Sequence, residues 1–228
     1  GKDASVVLAK PPQTLANMEW AVRLLRQFGS YEVALYGFKG FFHSPLGVRD
    51  PGRHELFFPE LAVYGGSVRG PALGGIANLE LGYYDSLEDQ ARWNPFVENS
   101  SMKYLVGYER QAWSDFTLGL QYFVEQMLHF ETFKASLPPG APSRDEFRHL
   151  LTLRLTQLLR YQTVELSLFV FFSPSDQDYY LRPTVAYKIT DQLTAVLGAN
   201  LFGGAKESTP FGQLDANDNV YLRLTYGF

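Results

Sequence analysis

The sequence contains no cysteine among its 228 residues. That removes thiol chemistry and suits an oxidising envelope compartment, where stray thiols are a liability, although many cytosolic proteins share the trait. No stretch approaches the ~20 apolar residues that a membrane-crossing helix requires. The longest apolar-rich run, Leu166–Phe172, is strand length and is broken by Ser167. Charge is scarce, at 19% of residues, and the net charge of -4 leaves no basic footprint for nucleic acid. Gly1-Lys2-Asp3 has neither the basic start nor the apolar core of a signal peptide, so export would imply a processed or partial sequence. There is no Gly-x-Ser-x-Gly elbow, phosphate loop or dinucleotide fingerprint. His43, His54, His129 and His149 are not paired at metal-ligand spacing. No catalytic residue, metal ligand or cofactor is expected.

Aromatic side chains are plentiful, at 15%, with 18 Phe and 14 Tyr, yet the mean hydropathy is only -0.15. Strands that show lipid on one side and water on the other have this balance. The last nine residues state the pattern most clearly. Val220, Leu222, Leu224, Tyr226 and Phe228 alternate with Tyr221, Arg223, Thr225 and Gly227, a period of two that runs to the terminal residue. This strand resembles the closing strand of Gram-negative outer-membrane β-barrels. The resemblance implies that Leu222, Leu224, Tyr226 and Phe228 form the signal read by the barrel-assembly machinery.

Strand-like segments recur along the whole chain, at about Glu19–Phe28, Tyr31–Phe42, Glu55–Arg69, Gly75–Tyr84, Ser101–Gln111, Asp115–Met127, Phe147–Leu159, Thr163–Ser173, Tyr179–Ile189, Leu193–Phe202 and Asn219–Phe228. Short connections, such as Gly29-Ser30 and Thr190-Asp191-Gln192, alternate with long ones, such as His43–His54, Asp85–Ser100, His129–Glu146 and Gly203–Asp218. Outer-membrane barrels show this asymmetry, and a soluble sandwich gives no reason for it. The doublets Phe41-Phe42, Phe57-Phe58, Tyr83-Tyr84, Phe171-Phe172 and Tyr179-Tyr180 stand where strands meet long loops, and read as an outer aromatic girdle. Trp113, Phe28, Tyr31, Tyr161 and Phe228 are candidates for the other girdle.

The expected fold class is all-β, an antiparallel transmembrane β-barrel with 11–12 strands visible. The domain reading is an N-terminal segment or extra strand over 1–18, followed by barrel strands over 19–228. Eleven strands is an odd number where single-chain bacterial barrels usually have an even one. Either Asp3–Lys10 is a short twelfth strand, or this is the C-terminal part of a larger barrel; the poor alternation of Asp3–Lys10 favours the latter. Leu spacing also allows helices over Gln121–Lys134 and Glu146–Leu159, which would make a small soluble α+β protein.

If the apolar faces look at lipid, the opposite faces line a lumen. The candidates are Arg23, Glu80, Lys103, Glu109, Gln121, Glu125, Arg154, Glu165, Arg182, Lys188 and Arg223, which would pair across the pore or set its ion preference. Ser173 and His149 are placed where an outer-membrane lipase site would need them, with nothing specific in their favour. Asp215–Asn219 concentrates oxygen ligands, but a polar turn before a strand explains it better than Ca²⁺ does. Asn99-Ser100-Ser101 matches a glycosylation acceptor by chance. The expected function is an outer-membrane channel or export-conduit barrel passing small solutes through a mixed-charge lumen. The alternative is a plugged structural barrel that scaffolds a lipoprotein or periplasmic partner. Outer-membrane lipid, lipopolysaccharide and the assembly machinery are the expected partners.

Overall fold

The structure, a computed structural model, describes residues 7–50, 52–88, 94–139 and 143–228. Fourteen strands form along them: β1 (Val7–Ala9), β2 (Trp20–Phe28), β3 (Tyr31–Phe41), β4 (Gly47–Asp50), β5 (Glu55–Phe57), β6 (Glu60–Ala72) and β7 (Gly75–Ser86). Then come β8 (Ser101–Trp113), β9 (Phe116–Met127), the helix α1 (Phe130–Ser136), β10 (Phe147–Leu159), β11 (Val164–Ser173), β12 (Asp178–Lys188), β13 (Leu193–Gly204) and β14 (Asn219–Tyr226). Strand occupies 63% of the chain and helix 8%, so the class is all-β. Eleven strands build one large antiparallel sheet in the order β14-β13-β12-β11-β10-β9-β8-β7-β6-β3-β2. The sheet is a meander with β2 and β14 at its ends, and among the described residues no pairing closes it into a barrel.

The period-two pattern explains the strands, and the turns explain where they stop. Gly29, at φ 59°, lets the β2–β3 hairpin reverse tightly. Leu73 and Gly74 both take left-handed angles, φ 50° and 75°, as a two-residue hairpin loop requires. Arg160, Tyr161 and Gln162 are all left-handed as well, an unusual run for residues with side chains. Pro183 sits inside β12 and has no N–H to give. The β12–β13 ladder accordingly runs to Leu181↔Leu201 and resumes at Thr184↔Gly198.

The chain divides into two compact units. The first comprises 1–68, 80–104 and 125–147, and holds seven of the eight buried apolar side chains found among the described residues: Ala34, Phe57, Leu61, Ala62, Val97, Met127 and Phe133. Its small second sheet, β1-β5-β4, pairs Val7–Ala9 in parallel with Glu55–Phe57. This corrects the idea of Asp3–Lys10 as a twelfth strand of the large sheet; residues 3–6 lie outside the described residues. The expected single strand Glu55–Arg69 is also two, separated by Phe58 and the fully buried Pro59, whose carbonyl accepts from the Phe42 N–H at 2.9 Å. The helical alternative is overturned over most of its span. Gln121–Met127 and Phe147–Leu159 are strand, and only Phe130–Ser136 is α-helix.

The second unit comprises 69–79, 105–124 and 148–228, and its sole buried apolar side chain among the described residues is Val196. A soluble unit of that size would be expected to hide most of its Leu, Val and Phe. Register shows where they went. Leu153↔Val170, Val170↔Leu181 and Leu181↔Leu201 form one continuous row across β10 to β13. Leu155↔Leu168 and Leu168↔Pro183 form the next, and Val185↔Leu197 and Leu197↔Leu222 carry the pattern to β14. One face of β10–β14 is therefore apolar from edge to edge, apart from His149 and Gln157 on β10.

Candidate functional site

The two faces of β10–β14 divide the chemistry between them. On the apolar face Val220, Leu222, Leu224 and Tyr226 are 73%, 68%, 64% and 61% exposed, so nothing among the described residues covers them. The band has aromatic boundaries: Phe172↔Tyr179 at one end, and Tyr187 and Tyr226 at the other. Of its two polar members on β10, His149 stands near the first boundary, and Gln157 stands beside the second and accepts from the Trp113 indole N–H at 3.2 Å. Strands β10 to β13 have 13, 10, 11 and 12 residues. A tilted strand needs ~9–11 to cross a bilayer's hydrocarbon core.

The opposite face carries Arg154, Glu165, Arg182, Lys188 and Arg223, which the register brings to one side. Phe169 stands between Arg154 and Arg182 on a single cross-strand row; Glu165 pairs with Ala186, Ala186 with Val196 and Val196 with Arg223. Glu109 joins them from β8. A Cβ on Gly119 would lie 3.6 Å from Arg154 Cβ and 3.9 Å from Glu109 Oε2, so that glycine leaves the two side chains facing one space. Among the described residues none of Glu109, Arg154, Glu165, Arg182, Lys188 or Arg223 has an ion-pair partner. All six are exposed. Gln121 is exposed on β9. The first unit places its own candidates differently. Arg23 pairs with Glu32 at 3.3 Å and lies over the Tyr36 ring, while Lys103 pairs with Glu125 at 3.0 Å and lies 4.1 Å from the Tyr84 ring centroid. Glu80 is exposed on β7.

The largest surprise on the polar face is aromatic. The doublets do not put both rings on one girdle, because neighbouring strand residues face opposite ways. Phe172 and Tyr179 belong to the apolar face, whereas Phe171 and Tyr180 pair across on the polar face, and Tyr180 continues to Phe202. The Tyr180 and Phe202 rings are parallel within 7° at 4.7 Å, and Phe169 meets Phe171 edge-on at 4.7 Å. Phe211, from the connection between β13 and β14, comes down over this row, 5.7 Å from Phe171 and 5.9 Å from Tyr180. All five rings stay half-buried. Strict alternation over 169 and 171 was a sequence signal for the strand rings; Phe211, being on a loop, left none.

That connection is tied down by backbone hydrogen bonds to acidic side chains. The fully buried Asp178 accepts from the Phe211 N–H at 2.8 Å through Oδ2, and Asp218 accepts from the Phe202 N–H at 2.7 Å. Gly212 is obligatory because a Cβ there would strike the Lys206 carbonyl oxygen. The Asp215–Asn219 stretch is committed to structure: Asn219 donates to the Asn217 carbonyl at 2.9 Å and accepts from Asn200, which in turn accepts from the Tyr180 hydroxyl at 2.7 Å.

Ser173 and His149 are near in the fold but not arranged for attack. The buried Ser173 hydroxyl donates to the His149 backbone carbonyl at 2.9 Å and lies 3.0 Å from Asp176 Oδ2. The His149 imidazole instead stacks on Tyr122 and shares a 2.7 Å hydrogen bond with its hydroxyl. Asp176 also holds Arg148 at 2.6 Å, so this cluster fastens the β11–β12 turn to β10.

Neither a protein-family model nor a curated protein matches the chain. Its functional reading rests on the chemistry of the two faces.

Proposed function

We propose that this chain supplies strands of an outer-membrane β-barrel channel, with the apolar face of β10–β14 against lipid and the polar face along an aqueous path. The observation that carries the proposal is the apolar face, interrupted only by His149 and Gln157, bounded by aromatic residues and left without a covering core among the described residues. Strand length and the short hairpin turns agree with it. Small solutes would pass by diffusion along the mixed-charge polar face, with Glu109, Arg154, Glu165, Arg182, Lys188 and Arg223 setting their preference. The final strand, with Leu222, Leu224, Tyr226 and Phe228, is the element offered to the assembly machinery. Lipid and lipopolysaccharide are the partners of the apolar face.

A second reading, a plugged barrel that scaffolds a lipoprotein or periplasmic partner, draws on one observation: the connection bearing Phe211 folds over the polar face. Two measurements test the pair. The absence of cysteine makes single-cysteine labelling clean. After reconstitution in lipid, Leu197→Cys is expected to be shielded from a water-soluble maleimide, and Arg223→Cys to react. Equal labelling of both positions would sink the membrane reading. Planar-bilayer conductance then separates open channel from plugged scaffold.

A further inference from the structure

We infer that the polar face of β10–β13 carries a binding site for small planar aromatic carboxylates, a solute class for the channel proposed above; the inference rests on that reading for its transport meaning but not for binding itself. Two rows of the same face make the site. In the first, Arg154 and Arg182 flank Phe169 on neighbouring strands. In the second, two residues further along each strand, Phe171, Tyr180 and Phe202 continue the surface under Phe211. Cross-strand neighbours stand ~5 Å apart, and successive same-face rows about 6.6 Å apart at ~3.3 Å per residue. A ring bearing a carboxylate directly bridges that interval, with its anionic end at the guanidinium row and its ring against the edge of the aromatic row beside Phe211, whose ring already lies 5.7 Å from Phe171 and 5.9 Å from Tyr180.

The charges favour an anion. On β10–β14 the face exposes Arg154, Arg182, Lys188 and Arg223 against Glu165, while Asp178 is fully buried and holds the Phe211 N–H. Glu109 approaches across Gly119 but forms no ion pair with Arg154 among the described residues. Arginine forks match a carboxylate bidentately, and guanidinium planes also stack on rings. The ring half of the site favours an anion that carries a ring over phosphate or chloride. The polar chain Tyr180–Asn200–Asn219 fixes the Tyr180 ring in place, so the platform is preorganised.

Calorimetric titration of the folded full chain in detergent micelles, with sodium benzoate as probe and acetate as comparison, tests the site. The expected result is saturable benzoate binding at least ~5-fold tighter than acetate, weakened by about tenfold in both Arg154→Gln and Arg182→Gln. Phe171→Ala is expected to bring benzoate down to the acetate level. Far-ultraviolet dichroism of each variant confirms that it is folded. Benzoate and acetate binding alike, or benzoate binding unmoved by either arginine variant in folded protein, overturns the inference. Bilayer conductance is read separately: benzoate binding without conductance leaves the site standing and removes the channel, while conductance without benzoate binding does the reverse.

Discussion

Single residues decide which side of this sheet tolerates charge. Leu197 pairs with Val185 on one side and Leu222 on the other, in the middle of the apolar band. Leu197→Arg is expected to destabilise the protein in lipid by about 2–4 kcal/mol, the cost of a cation near the bilayer midplane. Arg223→Gln, on the opposite face, is expected to stay within ~0.5 kcal/mol. Urea unfolding in lipid vesicles compares them, and equal costs would contradict the assignment of faces. A gain is expected at Leu73, an exposed residue held at φ 50°. Leu73→Asn creates the Asn-Gly pair that two-residue hairpins prefer, and is expected to add ~0.5–1 kcal/mol. Gly212→Ala should do the opposite locally: a methyl group against the Lys206 carbonyl would lift the loop that carries Phe211.

At the scale of elements, the strands were legible because alternation is a local property. Phe147–Leu159 is a strand with the bounds that its own residues mark, and Val164–Ser173 and Asn219–Tyr226 differ from expectation by a few residues at their ends. Elements set by distant partners were not legible. Asp3–Lys10 could be read as a short strand, but nothing in its own residues says that Val7–Ala9 pairs in parallel with Glu55–Phe57 instead of joining the large sheet. The doublets Phe171-Phe172 and Tyr179-Tyr180 stand at strand–loop junctions but do not form one girdle, because a period of two divides each doublet between the faces. The six charged residues of the second unit's site were legible as a polar-face set; Phe211 was not, since a 3₁₀ turn and two carboxylate–N–H bonds position it. Replacing 205–217 with a short turn is expected to raise single-channel conductance while leaving far-ultraviolet dichroism unchanged. An unchanged conductance would show that the connection does not obstruct the path.

For the whole molecule, the question is what happens at β2 and β14. All nine residues of β2 are exposed, and β14 has only Tyr221 partly covered. Among the described residues no strand pairs with the outer side of either edge, and in hydrocarbon an unpaired backbone group costs several kcal/mol. If the sheet spans a membrane, both edges must therefore be paired there. Hydrogen exchange in lipid nanodiscs is expected to find the β14 amides as protected as those of β12, and loop-like exchange along β14 would contradict this. The charge distribution also has a consequence at this scale, because a chain of net charge -4 sets a cationic surface on the polar face of β10–β14. The stacked rings offer a last consequence, an optical one. Phe171, Tyr180 and Phe202 are carried by strands, whereas Phe211 is carried by a connection. Their chiral near-ultraviolet band thus reports docking of that connection, independently of the amide band that reports the strands. Following the two bands during refolding would time the closing of the loop against the zipping of the sheet.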